Sequence, residues 1–143
     1  MKPPTCTRRL ELDAAHRVTR HESKCAHLHG HRYVIDVTCE AQSLDGCGRV
    51  IDFGVVKTVL GGWIDAHWDH GTLLCKDDLD LLELCMLRKW KHYVFDGEPT
   101  AENIAAETGK IAGKILGDLG VRVVGIRVYE TPGCWSDWTA DPG

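Results

Sequence analysis

Polar and apolar residues alternate strictly in two early stretches of the chain. From Arg9 to Ala14, Leu10, Leu12 and Ala14 fall on one side and Arg9, Glu11 and Asp13 on the other. From Tyr33 to Ala41 the apolar or small side is Tyr33, Ile35, Val37, Cys39 and Ala41, with Val34 alone interrupting the polar side. A period of two over such lengths predicts two half-buried strands. Extending the first register by two reaches His16, and running the second backwards reaches His31 and His29. The two registers together predict three histidines on the inward face of one sheet. Gly30, between His29 and His31, removes a side chain where the backbone would come close to a metal.

Further along, Asp45-Gly46-Cys47-Gly48 reads as a turn and Asp52 as a helix N-cap. Val55, Val56, Val59, Leu60, Trp63 and Ile64 recur at helical spacing, weakened by Gly61-Gly62. A short apolar-rich piece from Leu79 to Lys89 is a candidate second helix. Thr100 caps a longer one, with Ala101, Ile104, Ala105, Thr108, Ile111, Ala112 and Ile115 as its buried face and Gly117 and Gly120 ending it. Val121 to Glu130 reads as a strand whose Val124, Ile126 and Val128 side is continued by Glu130, a carboxylate closing an apolar row. Cys134 to Thr139 completes the set. These elements predict one α+β domain over residues 1–143, a four-stranded antiparallel sheet with two or three helices on one face.

Composition narrows the picture. At 143 residues and 43% hydrophobic, the chain can bury a core without disulfides. A net charge of -4 and scattered basic residues argue against nucleic acid as a partner. No secretion signal pattern and no apolar run of membrane-spanning length is present, so a cytoplasmic protein without membrane contact is expected. The seven cysteines, with no Cys-x-x-Cys pair, read as reduced thiols, most of them interior fillers.

The chemistry concentrates in Cys25-Ala26-His27-Leu28-His29-Gly30-His31 together with His16. A zinc ion that does chemistry usually takes three protein ligands and keeps a fourth position open, which suits His16, His29 and His31. Cys25 would stand beside that site. His21, His27, His67 and His92 lack ligand spacing and read as ordinary polar positions, and Trp135 and Trp138 are expected at a subunit interface.

Ala14-Ala15-His16 and Cys25-x-x-x-His29-Gly30-His31 resemble the zinc and nucleophile motifs of the 6-pyruvoyl-tetrahydropterin synthase / 6-carboxytetrahydropterin synthase family. Ile51-Asp52-Phe53, Trp68-Asp69-His70, Pro99-Thr100-Ala101-Glu102-Asn103 and Tyr129-Glu130-Thr131-Pro132 resemble four further motifs of that family, in the right order. The resemblance implies the tunnelling fold, small sheet domains assembling into barrels with the active site between subunits, here as a homohexamer (dimer of trimers). It implies zinc on His16, His29 and His31, Cys25 as general base, and Asp69 and His70 as a second proton carrier. It also implies Glu130, beside Thr131, as anchor for the pterin ring. Adjacent residues do not pair easily, so Asp69 and His70 are expected to seek other partners. Gly71 stands where many relatives have a second histidine. The three-residue gap after Cys25 resembles the bacterial 6-carboxy-5,6,7,8-tetrahydropterin synthases of queuosine biosynthesis. Those are carbon-carbon lyases acting on 7,8-dihydroneopterin triphosphate, whose phosphates Arg17, Arg20 and Lys24 could meet. The alternatives are a 6-pyruvoyl-tetrahydropterin synthase, which eliminates triphosphate without carbon loss, and a non-catalytic zinc- or pterin-binding module.

Overall fold

The computed structural model describes residues 2–143. Strand β1 (Thr5–His16) pairs antiparallel with β2 (His29–Glu40) along its whole length. The buried sets are those the alternation predicts: Leu10, Leu12, Ala14 and His16 from β1, and Tyr33, Ile35, Val37 and Cys39 from β2.

The sheet has six strands, not four antiparallel ones: with β3 (Gly71–Cys75), β4 (His92–Phe95), β5 (Arg122–Thr131) and β6 (Cys134–Thr139), the order is β4-β3-β1-β2-β5-β6. The additional strands, β3 and β4, run parallel: β3 pairs with β1, and β4 with β3. Every residue of β3 is buried, so it carries no polar alternation, and neither run is long enough for periodicity to separate strand from helix. Leu73 and Leu74 leave β3 on opposite faces. Leu73 joins the main core, whereas Leu74 packs with Leu81 and Cys85 of helix α3 (Leu79–Arg88) in a small second cluster. Helix α3 therefore covers the face opposite the other helices, which corrects the one-sided arrangement.

On the main-core side, the Asp52 carboxylate accepts from the Gly54 N–H at 2.8 Å and starts α1 (Phe53–Val56). The helix widens into a π turn (Lys57–Gly61) and resumes as α2 (Gly62–His67). The glycine pair thus falls at the end of a widened turn rather than at a break, and Val56, Leu60 and Ile64 stay on one buried stripe. Helix α4 (Ala101–Gly117) is capped by Thr100, whose hydroxyl accepts from the Asn103 N–H at 3.2 Å. Its buried face is close to the predicted one, with Gly109 and Leu116 added and Ile111 and Ile115 only half-buried at the edge.

Strand β5 pairs with β2 on one side and β6 on the other. A bulge pairs Thr38 with Gly125 but Cys39 with Val123, skipping Val124. Val123, not Val124, is therefore buried with Ile126 and Val128. Trp138 of β6 packs on the main core, and a Cβ placed on Gly109 would lie 2.6 Å from its indole. This ring fills a gap against α4 within the chain. Gly109→Ala should therefore lower stability by about 1–3 kcal/mol in urea denaturation, overriding the better helix propensity of alanine. A gain in stability would show that Trp138 is free to move aside. Among the described residues no helix is long and apolar enough to cross a membrane.

Candidate metal centre and active site

The antiparallel pairing sets His16, at the end of β1, opposite His29, at the start of β2, and puts His31 two residues along the same face. The Nε2 atoms of His16 and His29 are 3.1 Å apart, and so are those of His29 and His31. With Zn–N bonds of about 2.0–2.1 Å, neighbouring ligand nitrogens of a tetrahedral site lie about 3.3 Å apart, so the spacing matches. His16 Nδ1 sits 2.7 Å from the Pro99 carbonyl oxygen and His29 Nδ1 2.6 Å from that of His27. A carbonyl only accepts, so both Nδ1 atoms carry the proton and both Nε2 atoms present lone pairs. Lone pairs facing each other at this distance repel unless a cation lies among them. The donor set therefore fits a metal ion. Burial pushes the pKa values of His16 and His31 below the usual imidazole range, which favours the neutral, ligating form.

Gly30 answers to a different neighbour from the one its spacing suggests. A Cβ there would lie 3.3 Å from the Ala14 carbonyl oxygen, so closeness of β1, on the face away from the histidines, favours the glycine.

Cys25 lies in a single helical turn, Lys24–Ala26, and its carbonyl accepts from the Val18 N–H at 2.9 Å. It lines a cavity of about 300 Å³ together with His16, His21, Glu130 and Trp135. Glu130 Oε2 is 4.0 Å from His31 Nε2, and Thr131 follows it, exposed, at the end of β5. The fold thus puts His16, Cys25 and Glu130 around one space, with His29 and His31 adjoining it through His16 and Glu130. Trp135, assigned by sequence to an interface, and His21, read as an ordinary polar position, both border that space.

Asp69 and His70 lie elsewhere in the chain. His70 lines a wider cavity of about 690 Å³ that includes Gly30, His31 and Trp90 but not Cys25. The two residues pair with each other, His70 Nδ1 to Asp69 Oδ2 at 2.8 Å, contrary to expectation. The reason is the left-handed backbone of His70, φ 61°, which folds its ring back onto the preceding carboxylate. Burial raises the Asp69 carboxyl pKa, but hydrogen bonds from the Asp13 N–H and from His70 outweigh it and leave the group below the usual range. At Gly71 a Cβ would meet the Trp68 carbonyl at 3.0 Å and the Lys91 stem at 3.1 Å, so any side chain there requires these to shift.

Arg17 does not offer a free charge for phosphate. Its guanidinium makes a two-point ion pair with Asp78, Nε to Oδ2 at 2.6 Å, and the Asp78 side chain is only 2% exposed. The hydrogen bond from Arg17 holds the Asp78 carboxyl below the usual range. A folded-state pKa below the unfolded one adds stability that is complete above the unfolded value and lost as pH falls through the folded one. Asp78→Asn should therefore cost about 3 kcal/mol near neutral pH, at the low end for a buried pair because Arg17 remains 30% exposed. That deficit should narrow below about pH 4, as read by urea denaturation across pH 3 to 7. A gap that stays constant to pH 3 would contradict the pairing. No local sequence signal announces Asp78, Glu98 or the Pro99 carbonyl, because their partners lie 61 to 83 residues away.

The sequence matches the family profile described as 6-pyruvoyl tetrahydropterin synthase over residues 5–141. A 6-carboxy-5,6,7,8-tetrahydropterin synthase of Rickettsia conorii is 41% identical over 134 residues, covering 91% of this chain and 96% of that protein. The enzyme of the same name from Aquifex aeolicus is 32% identical over 117 residues, covering 76% of this chain and 72% of its own. Among solved structures, an uncharacterized protein of Wolinella succinogenes superposes with a TM-score of 0.86 at 21% identity, covering 99% and 100% of the two chains. The Caenorhabditis elegans 6-pyruvoyl tetrahydropterin synthase does so at 0.73 and 20% identity, covering 99% and 98%. With the profile spanning residues 5–141 and relatives of about 40% identity over most of its length, the chain belongs to the 6-pyruvoyl tetrahydropterin synthase family of lyases.

Proposed function

We propose that this chain is a zinc-dependent 6-carboxy-5,6,7,8-tetrahydropterin synthase of queuosine biosynthesis, acting in the cytoplasm as a homohexamer. Its substrate is 7,8-dihydroneopterin triphosphate, converted with water to 6-carboxy-5,6,7,8-tetrahydropterin, acetaldehyde and triphosphate. The observation that carries this reading is the three-histidine donor set beside a cavity in which its member His16 meets Cys25 and Glu130. The names of the Rickettsia conorii and Aquifex aeolicus relatives support it.

His16, His29 and His31 would hold the zinc, which when bound supplies a Lewis acid for the side-chain oxygens of the substrate. Glu130 accepts two parallel hydrogen bonds from the 2-amino group and ring N–H of the pterin, a match that a glutamine cannot reproduce without turning an acceptor into a donor. Thr131 adds a hydroxyl at the rim. Cys25 takes a proton from the substrate side chain and returns it, the general acid–base step. Asp69 fixes the tautomer of His70, whose side chain is 76% exposed. In the hexamer His70 serves the Cys25 cavity of a neighbouring copy, which accounts for the two lining separate cavities of one chain.

Incubation of zinc-loaded protein with dihydroneopterin triphosphate, followed by mass spectrometry, tests the reading. Acetaldehyde and the carboxylated pterin are expected in equal amounts. A diketo side chain with all carbons retained would assign the pyruvoyl reaction instead, and unchanged substrate would leave a binding module.

A further inference from the structure

The segment that carries Cys25 leaves β1 after His16 and returns at His29, and three ties fasten it. At its base the Val18 N–H donates to the Cys25 carbonyl at 2.9 Å. On either side of Val18, Arg17 binds the buried carboxylate of Asp78, and Thr19 binds Glu98 twice, through its N–H at 2.9 Å and through its hydroxyl. Both acceptors sit on rigid corners. Asp78 caps α3, and Glu98 precedes the Pro99-Thr100 start of α4. The Glu98 carbonyl is itself held by the Asn103 side chain at 2.8 Å, and the next carbonyl, that of Pro99, takes the Nδ1–H of His16. One corner of backbone thus fixes a metal-binding histidine and, through Glu98, the loop bearing the thiol.

We propose that Arg17–Asp78 and Thr19–Glu98 form a clamp that positions Cys25 relative to the three histidines, making Asp78 and Glu98 positioning residues for the reaction. The role of Cys25 in that reaction rests on the function proposed above, whereas the clamp itself rests on the contacts alone. Two side-chain acceptors from different elements, each bonded at two points to residues on either side of Val18, leave the loop little freedom to swing. The stretch between Cys75 and Gly97 thereby serves the site, because its α3 cap and the corner that follows it hold the thiol loop from outside the cavity. A displacement of about 1 Å at a reacting group costs on the order of 100-fold in rate, so such a tie matters to chemistry more than to binding.

The test uses zinc-loaded full-length protein carrying Asp78→Asn, Glu98→Ala, Thr19→Val or Thr19→Ser. Cys25 alkylation by iodoacetamide is followed by peptide mass spectrometry, zinc is measured per chain, and kcat and KM for dihydroneopterin triphosphate are determined. Hydrogen bonds to a charged acceptor of this kind hold a loop closed by a factor of about ten or more. Glu98→Ala and Thr19→Val should therefore raise Cys25 alkylation about tenfold and lower kcat about 10- to 100-fold, with KM and zinc content little changed. Thr19→Ser should restore both. Glu98→Ala and the Thr19 variants decide the matter even if Asp78→Asn fails to fold. Alkylation at the wild-type rate in Glu98→Ala and Thr19→Val would overturn the clamp, and faster alkylation with unchanged kcat would overturn its positioning role. Were the wild-type protein not to turn over the pterin at all, the proposed function would fall, while the alkylation rates would still decide the clamp.

Discussion

Cys25→Ala is expected to lower turnover of dihydroneopterin triphosphate by about 100- to 10,000-fold, the usual contribution of a positioned acid or base, while zinc stays at the wild-type level. The two halves of this expectation come from separate parts of the site. The histidine cluster is built by β1 and β2 and secured through the Pro99 and His27 carbonyls, none of which involves the thiol. Cys25 lines the cavity beside His16 from a loop, so under the proposed function its truncation removes a proton carrier without removing a ligand. Pterin affinity should also hold, because the proposed ring anchor, Glu130, belongs to β5. Metal analysis with steady-state kinetics reads both halves. Loss of zinc on truncation would make Cys25 a ligand, and retained turnover would remove it from the chemistry.

His29→Ala should act on the other half. His29 is the middle member of the cluster, its Nε2 lying 3.1 Å from that of His16 and from that of His31, so its loss leaves two donors. Removing even an outer partner of a metal ligand typically weakens binding about 10- to 100-fold, so removing a ligand should exceed about 100-fold and take turnover with it. Stability offers a second reading. Zinc that binds the folded chain should raise the melting temperature of the wild-type protein and leave that of the variant nearly unchanged. In the metal-free proteins the order should narrow or reverse, because the substitution removes one of the opposed lone pairs.

The histidine cluster was legible in the sequence because it depends on period two. Once Leu10, Leu12 and Ala14 are inward, His16 must be, and Tyr33 and Ile35 carry His31 and His29 with them. What stayed hidden depends on contacts that no local pattern encodes. Strand β3 is buried on both faces, so Leu73 and Leu74 look alike although they serve different clusters. The bulge at Gly125 moves the inward position from Val124 to Val123 without changing the composition of the strand. The left-handed turn at His70 makes a pair of two adjacent residues that ordinary backbone would keep apart. In the sequence Arg17 reads equally as a phosphate contact or a solvated charge, because its partner, Asp78, stands 61 residues away.

A second group of potential ligands, Asp13, Asp69 and His70, lies apart from the three histidines, but its members are already engaged with one another and with Arg32. The chain should therefore hold a single metal, on His16, His29 and His31, and the reaction should depend on it. Titrating metal-free protein with zinc while recording acetaldehyde release checks both points together: activity should rise linearly and stop at one zinc per chain. Full activity in the metal-free protein, or a rise that continues to two zinc ions per chain, would contradict it.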